Sequence, residues 1–319
     1  MNTGLTRRGL IGTMAATAAL GELPAAPAFA AAQAGRGEGL AFLAIGDWGR
    51  RGEPHQRTVA AQMGRVAEEQ GCAFTLALGD NFYGTGVDSV TDTHWRESFE
   101  DVYTAPALQN RWYAVLGNHD YRGNPQAQID YSRHSRRWMM PARYYAVEGA
   151  TFGAPHADFF LIDTTPLVAS YRKAPTPDAK HHVHDQDPQT QYAWLDAALG
   201  RSRAGWKLVF GHHPIFSGGQ HGDSEDLVRN LLPILKRHGV QAYVCGHDHD
   251  MQHIEREGIH FIATGCGSTV RPVGNVDGTR FAVACSGLSL YRVTPDALDL
   301  AFHDWAGARL YAATVTRAA

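Results

Sequence analysis

The first third of the chain alternates short apolar runs with one clear helical pattern. After Pro54, apolar residues recur at helical spacing as far as Gly71, and these two residues are typical of the beginning and the end of a helix. A strand–helix–strand order predicts a parallel sheet, because parallel neighbours need a crossover connection. The apolar runs that we expect to form its strands are residues 40–45, 73–78 and 112–116.

The rest of the chain mixes predicted strands with two further helical stretches. One helix follows Asp187-Pro188, and another begins at Ser224 and meets Pro233, which predicts a kink or two short helices. Residues 164–188 have no periodicity and contain several prolines, so we predict a long surface loop that carries the histidines of 181–184 in solvent. The other predicted strands are residues 144–147, 158–162, 206–210, 241–245, 261–264, 281–284, 288–293, 298–303 and 310–315.

Polar side chains capable of binding metal follow the ends of several predicted strands. Because the carboxyl ends of parallel strands meet at one edge of a sheet, we expect these side chains on one rim. Two ions held close together on such a rim are a tool for phosphoester hydrolysis. The five runs are Gly46-Asp47-Trp48-Gly49, Gly79-Asp80-Asn81-Phe82-Tyr83, Gly117-Asn118-His119-Asp120, Gly211-His212-His213-Pro214 and Gly246-His247-Asp248-His249.

The types of donor in these runs narrow the choice of metal. Asp80 has two carboxylate oxygens and can bridge two ions, whereas Asn118 adds an oxygen ligand without adding charge. Imidazole nitrogens suit Fe, Zn, Cu or Ni. The phenol of Tyr83 has an ordinary pKa of about 10, so only a strongly polarising cation such as Fe³⁺ would hold it as phenolate. An isolated tyrosine would be a core or rim residue, but Tyr83 lies three residues after Asp80.

Composition excludes several other classes of protein. The 319 residues are 44% hydrophobic and carry a formal net charge of −3, without the basic patch of a nucleic-acid binder. After the N-terminal segment, no stretch approaches the roughly 20 apolar residues of a membrane helix. The four cysteines form no C-x-x-C pair, which argues against a thiolate zinc site. Whether Cys266 and Cys285 pair stays open.

Residues 1–30 follow the three-part plan of an export signal. Arg7 and Arg8 precede a weakly apolar run, and the small-residue site Ala28-Phe29-Ala30 ends it. The adjacent arginines are typical of twin-arginine signals, so we expect a periplasmic or secreted protein. The candidate ligands that follow extend from Asp47 to His249 and must converge, which favours a single domain over residues 31–319.

All five runs together resemble the motifs of the purple acid phosphatases, within the calcineurin-like metallophosphoesterase superfamily. The similarity is to the small, tartrate-resistant acid phosphatase type and extends from about residue 40 to the C-terminus. The family motifs D-x-G, G-D-x-x-Y, G-N-H-[DE], V-x-x-H and G-H-x-H correspond here to Asp47-Trp48-Gly49, Gly79-Asp80-Asn81-Phe82-Tyr83, Gly117-Asn118-His119-Asp120, Val209-Phe210-Gly211-His212 and Gly246-His247-Asp248-His249.

The resemblance implies an α/β fold, a four-layer α/β/β/α sandwich of two mixed sheets flanked by helices. It also implies two substrate-facing catalytic histidines, His119 and His221. His213 departs from the family, where tyrosine is usual in the small enzymes. The implied metal ligands are Asp47, Asp80, Tyr83 and His249 for Fe³⁺, and Asp80, Asn118, His212 and His247 for a divalent ion (Fe²⁺, Zn²⁺ or Mn²⁺).

The function we expect is a metal-dependent acid phosphatase that hydrolyses small phosphate monoesters by a hydroxide activated between two metals. Neither nucleic acid nor a membrane span is expected, and the chain is expected to act as a monomer. A dimetal phosphodiesterase for cyclic nucleotides or phospholipid head groups is the nearest alternative, but Gly49 and Tyr83 argue against it. A non-catalytic metal- or phosphate-binding protein is a further alternative, although no ligand of the family is missing.

Overall fold

Two mixed sheets of seven strands each form the centre of the computed structural model, which describes residues 38–173 and 183–317. The first sheet has the strand order β14-β13-β12-β1-β2-β3-β4, and the second has the order β11-β9-β10-β8-β7-β6-β5. The strands are β1 (Leu40–Ile45), β2 (Phe74–Leu78), β3 (Arg111–Val115), β4 (Trp138–Met139), β5 (Tyr145–Glu148), β6 (Ala157–Leu161), β7 (Trp206–Phe210), β8 (Ala242–Cys245), β9 (Met251–Arg256), β10 (Ile259–Thr264), β11 (Thr279–Val283), β12 (Gly287–Val293), β13 (Ala297–Asp304) and β14 (Arg309–Thr316).

Local residue types explain where two of the helices begin or end. Gly71 ends the first helix in the left-handed conformation, with φ of +68°. The Asp187 side chain accepts the backbone N–H groups of Gln189 and Thr190 and so begins the fourth. The helices are α1 (Gln56–Gln70), α2 (Pro125–Tyr131), α3 (Ala169–Lys173), α4 (Pro188–Arg201), α5 (Glu225–Asn230) and α6 (Leu232–Arg237), with a π-helical turn at Arg96–Glu100 and 3₁₀ turns at Pro106–Leu108, Asp120–Arg122, Gly149–Phe152, Thr165–Leu167 and Val183–Asp185.

Aromatic side chains join the inner faces of the two sheets. Phe42 of β1 packs edge-on against Phe159 of β6 and Phe210 of β7, with ring centroids 5.4 and 6.3 Å apart. On the outer faces, α1 covers the first sheet, and α4 to α6 bury leucines such as Leu195 and Leu235 against the second. The layers therefore run helix, sheet, sheet, helix, which confirms the fold class expected from the sequence.

Strand direction brings the ends of both sheets to a common edge. In the first sheet β1, β2 and β3 are parallel neighbours, and in the second β6, β7 and β8 are. Backbone hydrogen bonds connect the loops that follow these strands, for example from Asp47 N to Gly79 O at 3.1 Å and from Gly246 N to His212 O at 3.0 Å. All loops that carry the five polar runs therefore lie at one side of the molecule.

Several sequence predictions were wrong or fall outside the described residues. The predicted surface loop at 164–188 begins instead with a buried 3₁₀ turn, in which Thr165 and Leu167 are covered, and continues as α3. Strand β9 was missed because its polar Gln252 and His253 are buried through hydrogen bonds rather than apolar contacts. The predicted export signal and the pair His181-His182 lie outside the described residues. Cys266 and Cys285 form no disulfide in the described part of the chain.

The interruption predicted at Pro233 is confirmed, since α5 and α6 are separate helices that meet at Leu231. Across residues 38–173 and 183–317, every helix is too short or too polar to pass through a lipid bilayer.

Candidate metal centre

The loops after the parallel strands hold the candidate ligands in strained backbone conformations. Asp47, Asp80 and His247 all have positive φ, of 58°, 48° and 73°. Residues other than glycine rarely adopt this region, and such strain concentrates at functional sites. The preceding glycines permit close packing of the loops. A Cβ on Gly79 would lie 2.6 Å from His212 Nδ1, and one on Gly246 would lie 2.5 Å from Asp47 Oδ2.

The first group of donors surrounds the hydroxyl of Tyr83. This oxygen lies 2.7 Å from Asp47 Oδ1, 2.9 Å from Asp80 Oδ2 and 3.0 Å from His249 Nε2. A phenol carries one proton and can donate to only one of these acceptors. Two buried carboxylates and an imidazole directed at one oxygen therefore form a site that a cation fits.

The second group surrounds Nε2 of His212. The Nδ1 atom of this ring lies 2.9 Å from Leu78 O, and because a carbonyl only accepts, Nδ1 carries the proton. In the neutral ring Nε2 therefore has the free lone pair that a metal ligand needs. Around that nitrogen lie Asn118 Oδ1 at 3.2 Å, His247 Nδ1 at 3.2 Å and Asp80 Oδ1 at 3.5 Å.

Asp80 belongs to both groups, with one oxygen facing each. Ligand atoms of Asp47, Asp80 and His212 lie within 4.8 Å of one another, and all three residues are buried. The structure thus brings all seven residues predicted as metal ligands into one place. The donor set, with two carboxylates, one phenol, one amide and three imidazoles, fits two metal ions.

Electrostatics in the metal-free centre follow from burial and from the opposite charges. Burial alone would raise the pKa of Asp80, but His212 and His119 hold it well below its usual range. Burial alone would lower the pKa of His212, yet Asp80 and Asp47 raise it to about 9. Burial and the two aspartates raise the pKa of Tyr83 well above its ordinary value. Without a cation this phenol therefore keeps its proton.

His119 lies at the mouth of the centre, next to both carboxylate and guanidinium groups. Its backbone N–H donates to Asp80 Oδ1 at 2.7 Å. Its Nδ1 lies 2.8 Å from Gly84 O, which accepts from it, and 3.2 Å from Nη1 of Arg122. The opposite nitrogen, Nε2, is 4.0 Å from Asp80 Oδ2 and so faces the centre. Burial lowers the pKa of His119.

His221 lies on the other side, against the ring of His247, with centroids 4.1 Å apart. Its Nδ1 donates to Asp248 Oδ1 at 2.7 Å, and its Nε2 lies 3.3 Å from Nη1 of Arg271. Asp248 is buried and also accepts the backbone N–H of His221, so its carboxylate fixes both the loop and the ring. The structure thus places both predicted catalytic histidines beside the metal ligands.

Three supporting residues were missed by sequence reasoning. Arg122 and Arg271 each approach one of the two histidines, and Thr269 holds His249 through a 2.7 Å contact between Oγ1 and Nδ1. Arg122 lies three residues after His119 in a turn, and this short spacing could have indicated that the two side chains lie close together. Arg271 and Thr269 lie in an irregular loop after β10, where no sequence pattern places them.

Asp120 supports the centre through hydrogen bonds to the backbone of two loops that carry candidate ligands. Its carboxylate accepts the backbone N–H groups of Gly117, Asn81 and Phe82, at 2.9 to 3.2 Å. It thereby joins the loop after β2 to the loop after β3. Burial first, and then the neighbouring Asp80, raise the pKa of Asp120 to about 7.

The sequence and the structure of the chain both match known phosphatases. A model of the calcineurin-like phosphoesterase family matches residues 40–251. Purple acid phosphatase 3 of Arabidopsis thaliana is 39% identical over 280 residues, which cover 83% of this chain and 74% of that protein. Tartrate-resistant acid phosphatase type 5 of Oryctolagus cuniculus is 37% identical over 246 residues, covering 73% of this chain and 74% of that protein.

Two solved structures share the fold over most of this chain. GAP50, the anchor in the inner membrane complex of Plasmodium, has a TM-score of 0.77 and 25% identity, covering 88% of this chain and 89% of that one. Purple acid phosphatase PPD1 from yellow lupin seeds has a TM-score of 0.62 and 14% identity, covering 88% of this chain and 54% of that one. At 14% identity, the similarity to the lupin enzyme shows only that the two proteins share a fold.

The close approach at Gly79 gives a first prediction. We expect Gly79→Ala to lower the bound metal content, because the new Cβ would displace the His212 ring. Gly153→Ala is the matched control, since Gly153 also has positive φ (+75°) but nothing within 4 Å of its Cβ position. Both changes should cost about 1 kcal/mol in backbone strain, but only the first should lose metal by elemental analysis. Equal metal content in both variants would contradict this explanation.

Proposed function

Since the chain belongs to the purple acid phosphatases of the calcineurin-like phosphoesterase family, we propose that it is a phosphomonoesterase with a heterovalent pair of metal ions, one trivalent and one divalent. As a member of that family it is a metal-dependent acid phosphatase with a binuclear metal centre. The proposal adds Fe³⁺ at the Tyr83 group and a divalent ion, Fe²⁺, Zn²⁺ or Mn²⁺, at the His212 group. The ligands would be Asp47, Asp80, Tyr83 and His249 for the first ion, and Asp80, Asn118, His212 and His247 for the second.

The observation that carries this proposal is the position of Asp80 between two complete donor groups. Two ions held there would supply Lewis acidity and would lower the pKa of a bound water molecule. The phenol of Tyr83 supports iron, because a trivalent ion offsets the burial and the two carboxylates that otherwise keep the phenol protonated.

Histidine and arginine side chains of the protein would bind the substrate and protonate its leaving oxygen. His119 Nε2 faces the centre, and Gly84 O fixes the ring by accepting from Nδ1, so Nε2 can donate to a phosphoryl oxygen when the ring carries a second proton. His221 has its Nδ1 proton held by Asp248, so a second proton at Nε2 is the one it can pass to the leaving oxygen. Arg122 and Arg271 add positive charge on either side, where the substrate's negative charge must enter.

A non-catalytic role is the second candidate function. GAP50, a structural relative, is described as an anchor, so a protein of similar structure can have a role named for attachment. The present chain retains all seven candidate ligands in contact, which supports catalysis instead. Absence of turnover in protein that holds both ions would favour the binding role.

Rates on two synthetic esters test the reaction class. We expect kcat/KM to be higher for p-nitrophenyl phosphate than for bis(p-nitrophenyl) phosphate, because a monoester leaves its terminal oxygens free for both ions. The pH–rate profile should peak in acid, since a trivalent ion held by these residues would lower the pKa of a water molecule further than a divalent ion would. A preference for the diester would favour the phosphodiesterase alternative, and a rate that peaks only at alkaline pH would contradict the iron assignment.

The visible spectrum tests the iron assignment. We expect the oxidised protein to be violet through charge transfer from the Tyr83 phenolate to Fe³⁺, and Tyr83→Phe to lose this band. Tyr145→Phe is the matched control, because its buried hydroxyl lies against two backbone carbonyl oxygens, Ala114 O and Met139 O, at 2.9 and 2.8 Å. Colourless wild-type protein without iron would overturn the assignment but leave a two-metal hydrolase possible.

We also propose that the protein is exported as a folded chain by its twin-arginine-like signal. Residues 1–30 carry the adjacent arginines and the Ala28-Phe29-Ala30 site that support this proposal. Replacing Arg7 and Arg8 by lysine should retain the protein in the cytoplasm, whereas Arg36→Lys should not. Cell fractionation and N-terminal sequencing measure this, with Ala31 expected as the first mature residue. Unchanged export of the double variant would contradict the route.

A further inference from the structure

His213 is a buried histidine beside the metal centre to which neither the five motifs nor the proposed ligand set gives a role. Its ring lies between those of His247 and Tyr171, with centroids 4.3 and 5.2 Å away, and only 3% of the residue is exposed. One ligand atom of its ring lies within 4.8 Å of ligand atoms of both His212 and His247. Distance alone would make His213 a further metal ligand.

The hydroxyl of Thr164 decides otherwise, because it fixes the position of the ring proton. Thr164 Oγ1 accepts the backbone N–H groups of His212 and His213, at 3.2 and 2.9 Å. A hydroxyl has two acceptor positions and one proton to donate, and both acceptor positions are thereby used. His213 Nδ1 lies 2.8 Å from the same oxygen and must therefore accept its proton. In the neutral ring the remaining proton is then on Nε2.

A protonated Nε2 is a hydrogen-bond donor and has no lone pair for a metal. This atom is buried and has no hydrogen-bond partner among the described residues. Buried donors without partners are rare in native proteins and indicate a missing water, ion or ligand. Since the ring packs against His247, an oxygen atom held at the metal centre is the partner within reach.

We propose that His213 is a third substrate-facing histidine, which donates a hydrogen bond from Nε2 to an oxygen of the phosphoryl group, and that it is not a metal ligand. The inference rests on the proposed function for the identity of the bound group.

Two substitutions separate the donor role from a ligand role. His213→Phe keeps a flat ring between His247 and Tyr171 but removes the donor, whereas His213→Gln keeps an N–H group near the position of Nε2. We expect the Phe variant to raise the inhibition constant of inorganic phosphate and the KM of p-nitrophenyl phosphate about 10- to 100-fold, as for loss of a hydrogen bond to a charged group. The Gln variant should retain most of the phosphate affinity. Both should bind as many metal ions per chain as the wild-type protein binds.

Contrary outcomes are distinct from one another. Loss of one metal ion in both variants would make His213 a ligand and overturn the proposal, and so would unchanged phosphate inhibition in the Phe variant. His253→Phe is the control for removing a buried imidazole, since His253 contacts Tyr311 and His260 instead. Its phosphate inhibition constant should equal that of wild type.

If the Phe variant does not fold, a measurement that does not depend on turnover still tests the proposal. Long-range ¹H–¹⁵N spectra of the zinc-loaded full chain report which nitrogen of each histidine carries the proton, and the His213→Gln variant assigns the signal. We expect the Nε2–H form, with its proton signal shifted when inorganic phosphate is added. An Nδ1–H form would overturn the proposal even if the protein proves to be a phosphatase. Failure of the proposed function would instead appear as wild-type protein without turnover.

Discussion

Asp80 is the carboxylate on which the arrangement of the centre depends. One of its oxygens faces the hydroxyl of Tyr83 and the other faces the backbone of His119 and the ring of His212. Such a position requires the loops after β2, β3 and β7 to converge within a few ångströms. Burying this charge is unfavourable unless cations or hydrogen-bond donors surround it, so the site is stable only if the opposite charges are bound where the loops meet.

Two features hold these loops close together. One is a second buried carboxylate, and the other is the absence of side chains at two glycines. Asp120 binds backbone N–H groups from the loops after β2 and β3, and so fixes Asp80 relative to Asn118. At Gly79 and Gly246 the backbone of one loop packs against a ligand from another. A side chain at either glycine would collide with that ligand, which explains why glycine precedes Asp80 and His247.

Sequence patterns predicted most of the strands, the end of α1 at Gly71, the beginning of α4 after Asp187 and the clustering of the seven candidate ligands, because each depends on residues adjacent along the chain. The predictions were wrong where a residue's environment comes from distant segments. Thr164 was assigned to a surface loop, but the structure buries it against His212 and His213, 48 and 49 residues away. Arg271 reaches His221 across 50 residues from an irregular loop. The role of His213 follows only from the proton of Thr164, which no spacing along the chain reveals.

The central claim is that two ions share Asp80, and anomalous X-ray diffraction from crystals of the metal-containing protein tests it most directly. Data collected on both sides of the iron edge should give two peaks about 3.5–4 Å apart on either side of the Asp80 carboxylate. The peak next to Tyr83 should be iron. A single peak, or two peaks that do not both contact Asp80, would contradict the account.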